Sequence, residues 1–191
     1  MRYQANHKQR THRRIVEGAS RQFRAEGMSG PGVAKLMKAS GLTVGGFYKH
    51  FRSKNDLVTE AMDASVREVA ARVAEWAKQG RPGEAWKEIV KRYLSPEHCE
   101  HPGIGCPVAA LAPDIARTRP AIRRKIQASM DAYKKQLMEF MPGANPGEKQ
   151  KNYTLIFTAM VGAISIARTL SDEVEKRKVL DLVRDHLLAS F

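Results

Sequence analysis

From residue 54 to the end of the chain, apolar side chains recur every three or four residues, in stripes separated by Pro and Gly. That spacing puts each stripe on one face of an α-helix. No run of alternating β-branched residues reads as a strand. The chain is therefore expected to be all-α, with about nine helices. Val58, Met62, Val66, Val69 and Val73 mark a long helix over residues 54–78, stopped by Gly80-Arg81-Pro82-Gly83. Trp86, Ile89, Val90, Tyr93 and Leu94 mark the next. Residues 95–105 read as the only irregular segment of real length. Pro107 then opens a short helix through Ala112, which Pro113 must kink or restart. Ile122, Ile126, Met130, Tyr133, Leu137 and Phe140 define a helix over 120–141, and Pro142-Gly143 ends it. Two more follow, over 146–170 and from Asp172, which caps its helix together with Glu175.

Ahead of residue 54 the pattern shortens. Residues 1–8 read as a basic, mobile arm. A first helix is expected over residues 9–26, with Ile15, Ala19 and Phe23 on one face and Gly27 at its C-cap. A second runs over 32–39, with Val33, Leu36 and Met37, and closes at Gly41. The third, over 44–50, lies in a run in which Phe47, Tyr48 and Phe51 are set among Lys49, His50, Arg52 and Lys54. Thr43 is placed to N-cap it. Phe47 and Phe51 are four apart and turn inward together, which leaves Tyr48, Lys49 and His50 outside. A core tyrosine at 48 is the alternative that this spacing disfavours. Ser53 and Asp56 form a capping-box variant for the long helix. Two short helices joined by a Gly-containing turn, the second basic and aromatic, read as a helix-turn-helix.

Charge supports a nucleic-acid reading. The chain carries a formal +13, and residues 1–54 hold twelve Lys or Arg against two acids, Glu17 and Glu26. A basic lobe on a nearly balanced body suits phosphate neutralisation by one end of the molecule. Arg10 and Arg13 stand at the start of the first helix, where they face either phosphates or plain solvent. Gly45 and Gly46 each cost about 1 kcal/mol in a helix relative to Ala. Close approach of the backbone to DNA would account for both, and tolerance by tertiary packing is the alternative.

Residues 13–57 resemble the DNA-binding domain of TetR-family transcriptional regulators. The likeness rests on Ile15 to Phe23, Gly27, Val33-Ala34-Lys35-Leu36-Met37, Gly41-Leu42-Thr43, Gly46-Phe47-Tyr48-Lys49-His50-Phe51, Ser53-Lys54 and Leu57. Ser29-Gly30-Pro31-Gly32 stands where the family has Thr or Ser ahead of the second helix. The resemblance implies phosphate contacts from Tyr48 and Lys54. It also implies that Thr43, Val44, Gly45, Gly46, Lys49 and His50 lie near base edges or backbone. It divides the chain into a DNA-binding domain, 1–54, and a helical effector-binding and dimerisation domain, 55–191.

In the second domain, the helix over 146–170 is apolar on nearly every face through Leu155, Ile156, Phe157, Met160, Val161, Ile164 and Ile166. Such a helix must be covered on several sides. Gly162, Ile166, Val179, Val183 and Leu187 are therefore the candidate dimer interface, with burial inside one subunit as the alternative. Trp86, Tyr93, Met130, Tyr133, Phe157 and Met160 are candidates to line an effector cavity or to be plain core.

Pro107 at a first helical position makes Cys106 the expected N-cap, where the helix dipole favours a thiolate. Gly105-Cys106-Pro107 also resembles a branch of the family in which some members respond to electrophiles or oxidants. An inert buried thiol is the other reading. His98, Cys99, Glu100, His101 and Cys106 gather metal-ligating types, but their spacing is not that of a common zinc site, so no metal is expected.

No cofactor is expected, and no catalytic triad, phosphate-binding Gly loop or HExxH pair is present. The longest uncharged run, residues 152–167, is sixteen residues and short of a membrane span. With no apolar leader and only two cysteines, a cytoplasmic protein is expected. The sequence as a whole reads as a homodimeric, ligand-responsive regulator of transcription, acting as a repressor on a palindromic double-stranded operator. An aromatic or electrophilic effector would release it. A basic structural DNA-binding protein without a ligand is the rival, and an enzyme built on Cys106 lacks a partner base.

Overall fold

The computed structural model describes residues 2–191. Nine α-helices follow one another: α1 (Arg2–Glu26), α2 (Val33–Ala39), α3 (Lys54–Lys78), α4 (Ala85–Tyr93), α5 (Pro96–Glu100), α6 (Pro107–Arg117), α7 (Pro120–Phe140), α8 (Pro146–Ala167) and α9 (Glu173–Ser190). Two 3-10 segments, Val44–Lys49 and Pro102–Ile104, complete the described residues, which contain no strand.

Most boundaries sit where the sequence puts them, and the caps explain why. Gly27 adopts φ +80 and donates its N–H to the Phe23 carbonyl at 2.8 Å, closing α1. Ser53 Oγ accepts from the Asp56 N–H at 3.2 Å and donates to the Asp56 carboxylate at 3.1 Å, which starts α3. Asp172 Oδ1 accepts from the Val174 and Glu175 N–H groups at 2.7 and 3.3 Å.

Four expectations need correction. Helix α1 begins at Arg2, so the supposed arm over residues 2–8 is helical; no Gly or Pro interrupts it there. Met1 lies outside the described residues. Thr43 occupies the N-cap position of the third helix, but its side chain makes no capping bond, and that helix is a 3-10 turn. Residues 95–105 are not irregular: Ser95 Oγ caps α5 through the His98 N–H at 3.2 Å, and Pro102–Ile104 forms a further turn.

The fourth correction concerns the helix end expected at Ala112: α6 runs on to Arg117, and Pro113 does not restart it. The proline lies inside α6, and its missing N–H leaves the Ala109 carbonyl four residues back without a helical donor. Ser165 of α8 supplies one, Oγ to O at 3.3 Å.

Two cores meet along α3. Leu57, Val58, Ala61 and Met62 pack with Ile15, Phe23, Met37, Phe47 and Phe51 in the first. Val66, Val69 and Val73 pack with α4, α7, α8 and α9 in the second. The changeover between Met62 and Val66 falls inside the helix. The first core also takes Leu111 of α6 and Ile126 of α7. Farther along α7, Tyr133 and Leu137 belong to the second. The cores thus appear in the same order along α7 as along α3, so the two helices run side by side in the same direction. Their first turns lie at the same end of the molecule.

Candidate nucleic-acid interface and the second-lobe cluster

The Val44–Lys49 turn is held from inside and open outside. Phe47 is fully buried and Phe51 nearly so, with ring centroids 5.3 Å apart, while Tyr48 is 73% exposed. A tyrosine ring left in solvent between two buried phenylalanines contributes little to stability here. Val44 is also exposed, as are Thr43 and Lys49. A Cβ added at Gly45 would meet nothing within 4 Å, and one at Gly46 would touch only the Met37 methyl at 3.5 Å. Neither glycine is demanded by packing within the chain, and the space over Gly45 is free for a partner. Lys54 sits with Nζ 5.9 Å from the Phe23 ring centroid, at the first turn of α3.

His50 ends the turn, half-buried, with an unpartnered Nδ1. Its pKa is lowered by burial first, and then by His12, Lys8 and Lys49. His12 stacks on Phe51 at 4.6 Å and holds Glu60 at 2.5 Å. It ties α1 to α3 beside the turn. Arg10 and Arg13 are exposed on the same stretch of α1. All ten sequence candidates therefore fall within one lobe around Phe51. His12 was missed because a lone histidine on a helix carries no signal of its partner 48 residues away.

The second-lobe candidates divide. Tyr93, Cys106 and Tyr133 come together in the core, with Phe157 stacked on Tyr153 at 5.3 Å beside them. Tyr153 carried no signal in the sequence. Burial, and after it Cys106, pushes the Tyr93 and Tyr133 hydroxyls well above their ordinary pKa, and Tyr153 to about 12. All three stay protonated, and the buried Tyr93 hydroxyl has the Cys106 thiol as its one hydrogen-bonding neighbour, a weak partner outside good hydrogen-bond geometry. Met160 lies in the same core, and Met130 packs against both cores. Trp86 is buried in the same core, edge-on to Phe191 at 6.5 Å. Cys106 is the N-cap of α6, as expected, but it is buried and makes no capping bond through its side chain.

His98 and Arg168 hold the Cys106 segment. His98 Nδ1 meets the Tyr93 carbonyl at 2.6 Å, and Nε2 accepts the Cys106 N–H at 3.1 Å. This pairing requires the neutral ring, and burial lowers the His98 pKa to about 4. His101 is turned to the Glu97 carbonyl, and no set of metal-ligating side chains is assembled among the described residues. Arg168 donates to the Cys99 and His98 carbonyls at 2.9 and 3.0 Å. A Cβ on Gly105 would come within 2.9 Å of His98 Nε2 and 3.1 Å of Arg168 Nη2, so only Gly fits between them. A cleft of about 550 Å³, missed by sequence reasoning, opens nearby between Arg72, Trp76, Arg92 and His98.

On the α8–α9 face, Ile166 is 57% exposed and Gly162 has open space over its Cα. Val179 and Val183 are half-buried against the second core. Leu187 departs from its expected place. It is buried within the subunit, because Leu180 and Leu187, seven apart, form the inward face of α9. The exposed apolar residues of this surface are instead Leu155, Ile166, Val174 and Leu182. Among the described residues no helix is long and apolar enough to cross a membrane.

Comparison with known proteins adds four findings. The family described as bacterial regulatory proteins, tetR family, matches residues 15–61. The HTH-type transcriptional regulator AcrR of Shigella flexneri is 31% identical over 88 residues, 45% of this chain and 41% of that protein. The match thus spans about two-fifths of the relative's length. Among solved structures, a TetR transcriptional regulator from Chloroflexus aurantiacus superposes with a TM-score of 0.76 at 25% identity, over 95% of this chain and 94% of that one. The transcriptional regulator FadR of Bacillus subtilis, solved in complex with stearoyl-CoA, shares the fold with a TM-score of 0.68 at 15% identity, over 93% and 98% of the two chains.

Proposed function

This chain belongs to the TetR family of transcriptional regulators, and from that premise we propose that it is a homodimeric repressor released from its operator by a small molecule. The observation that carries the reading is the solvent-exposed Tyr48 between the buried Phe47 and Phe51, on the most basic lobe of the chain. In this reading the Val44–Lys49 turn enters the major groove. Gly45 and Gly46 let the backbone close on the bases, with Thr43, Lys49 and His50 at their edges. Tyr48 and Lys54 meet phosphates, the latter with the first turn of α3 behind it.

One such turn gives too little contact for tight binding, so two copies pair through the exposed α8–α9 face. Recognition turns about 34–36 Å apart would then match a two-fold operator. The effector is apolar or aromatic, with an acceptor group for the Tyr93 hydroxyl, which has only the weak Cys106 thiol beside it, among Tyr133, Tyr153 and Phe157. The complex of FadR, which shares this fold, with stearoyl-CoA, a ligand carrying a long apolar chain, is in keeping with this reading. An electrophile would act differently, by alkylating the Cys106 thiol. Either event is transmitted to the DNA-binding lobe along α3, which belongs to both cores.

The test is release from DNA. A duplex enriched from a random library by the wild-type protein is bound, then challenged with a panel of non-reactive aromatic compounds and with N-ethylmaleimide. Release by a non-reactive compound in both wild type and Cys106→Ser supports a reversible ligand site in the second lobe. Release by N-ethylmaleimide that disappears in Cys106→Ser supports the thiol. Binding that responds to nothing favours a structural DNA-binding protein.

A further inference from the structure

Outside the helix-turn-helix lobe one segment breaks the charge balance of the body. Residues 117–125, at the corner between α6 and α7, hold Arg117, Arg119, Arg123, Arg124 and Lys125 with no acid among them. All five are exposed. None forms an ion pair among the described residues, and Arg123 alone is engaged, donating to the Ala116 carbonyl at 2.9 Å. Five unpaired cations within nine residues repel one another, a cost that an anionic partner would reverse.

The placement of this corner indicates which anion. Leu111 and Ile126, on either side of it, are buried in the core of the helix-turn-helix lobe, with Ile115 and Ile122 packed against them. The Asp114 carboxylate accepts the Met28 N–H at 3.3 Å, tying α6 to the α1–α2 turn. Since α7 runs alongside α3 in the same direction, its first turn lies at the end of the molecule where α3 starts with Lys54. Lys125 lines one groove with Gln9, His12 and Arg13 of α1. The acids of that groove are already taken: Glu60 by His12, and Asp63 by Arg67 and Ser129. By sequence the corner belongs to the effector domain; by packing it is a basic shoulder of the DNA-binding lobe.

We infer that the α6–α7 corner is a second DNA-contacting surface, which engages the phosphates of duplex flanking the half-site read by the Val44–Lys49 turn. The inference rests on the DNA-binding reading above. Its contacts are charge–charge and carry no base specificity, so they add affinity and salt dependence rather than sequence preference.

The probe is the duplex enriched from a random library, made in two lengths: trimmed to the protected base pairs, and extended by about ten base pairs on each side, one helical turn. The test variant is Arg119→Gln/Arg124→Gln/Lys125→Gln, and Lys78→Gln/Lys91→Gln/Lys135→Gln removes the same charge elsewhere. For wild type, the extended duplex should bind more tightly than the trimmed one. The test variant should lose that gain, its slope of log K against log salt on the extended duplex falling by about two to three units, with binding to the trimmed duplex retained. The control variant should keep the gain.

Equal slopes for wild type and test variant on the extended duplex overturn the inference and leave the DNA-binding reading standing. So does an equal loss in the control variant. Failure of the wild-type protein to enrich any duplex overturns the DNA-binding reading, and this inference with it.

Discussion

Arg24 of α1 meets Glu68 of α3 at 2.6 Å with its side chain wholly removed from solvent, and the same guanidinium donates to the Gly105 carbonyl at 3.0 Å. Arg72 holds the other oxygen of Glu68 at 3.1 Å and donates to the Ile104 carbonyl. One carboxylate on the shared helix thus fixes two arginines, and each arginine grips the segment that leads into Cys106.

Arg24→Met should therefore weaken the joint between the lobes. It removes the bonds to Gly105 and Ser20 but leaves Glu68 paired with Arg72, and Glu68 keeps 34% of its side-chain exposure. We expect a loss of about 2 kcal/mol, below the usual cost of breaking a fully buried pair, and a melting temperature lower by roughly 4–8 °C. Calorimetry should also show the single wild-type transition separating toward two. An unchanged transition would contradict the joint.

His98 makes stability depend on pH. Its pKa lies near 4 in the fold, against an ordinary value of 6.5, because burial disfavours the charged ring. The unfolded chain therefore takes up the proton first as pH falls. The neutral ring's contribution is complete above 6.5 and is lost progressively down to about 4, with roughly 2 kcal/mol gone by pH 5. Urea midpoints of wild type at pH 7.5 and 5.0 should differ by more than those of His98→Gln. Parallel pH dependence in the two proteins would remove His98 as the cause.

At the recognition turn, Tyr48→Phe and Lys54→Ala should weaken binding to all DNA sequences alike. Neither change should unfold the protein, because the Tyr48 ring is in solvent and Lys54 only leans on Phe23. Lys54→Ala should flatten the salt slope by about one unit. Gel-shift titrations that leave both variants at wild-type affinity would take them out of the interface.

The α8–α9 face gives a paired prediction. Ile166→Glu, on exposed surface, should yield a folded monomer with weak operator binding. Leu187→Ala, inside the subunit core, should cost about 2–4 kcal/mol of stability at an unchanged sedimentation coefficient. The reverse pattern in sedimentation velocity and thermal melts would place the pairing surface elsewhere.

Local periodicity made much of this legible. Four-residue spacing correctly sends Phe47 and Phe51 inward and Tyr48 outward, and the Ser53 and Asp172 caps need only their own next turn. What the sequence hides are partners brought together from afar. Arg24 and Gly105 are 81 residues apart, and nothing near either one announces the other. The α5 helix has the sequence pattern of a loop because its cap, Ser95, precedes only five helical residues, held by His98, Arg168 and their carbonyl partners. Leu187 is expected on the outer face because the stripe Val179, Val183, Leu187 fits helical spacing as well as Leu180 and Leu187 do; only the neighbouring helices decide between them.

Pro113 makes the local stability of α6 depend on α8. The Ala109 carbonyl gains its donor only when Ser165, 56 residues later, arrives on α8. Without it α6 has a gap in its own ladder at Ala109. In the finished protein, amide protons around the gap should exchange with solvent as soon as α8 loosens, well before α3 opens. A proline that looks like a stop signal instead makes one helix borrow a donor from another far along the chain.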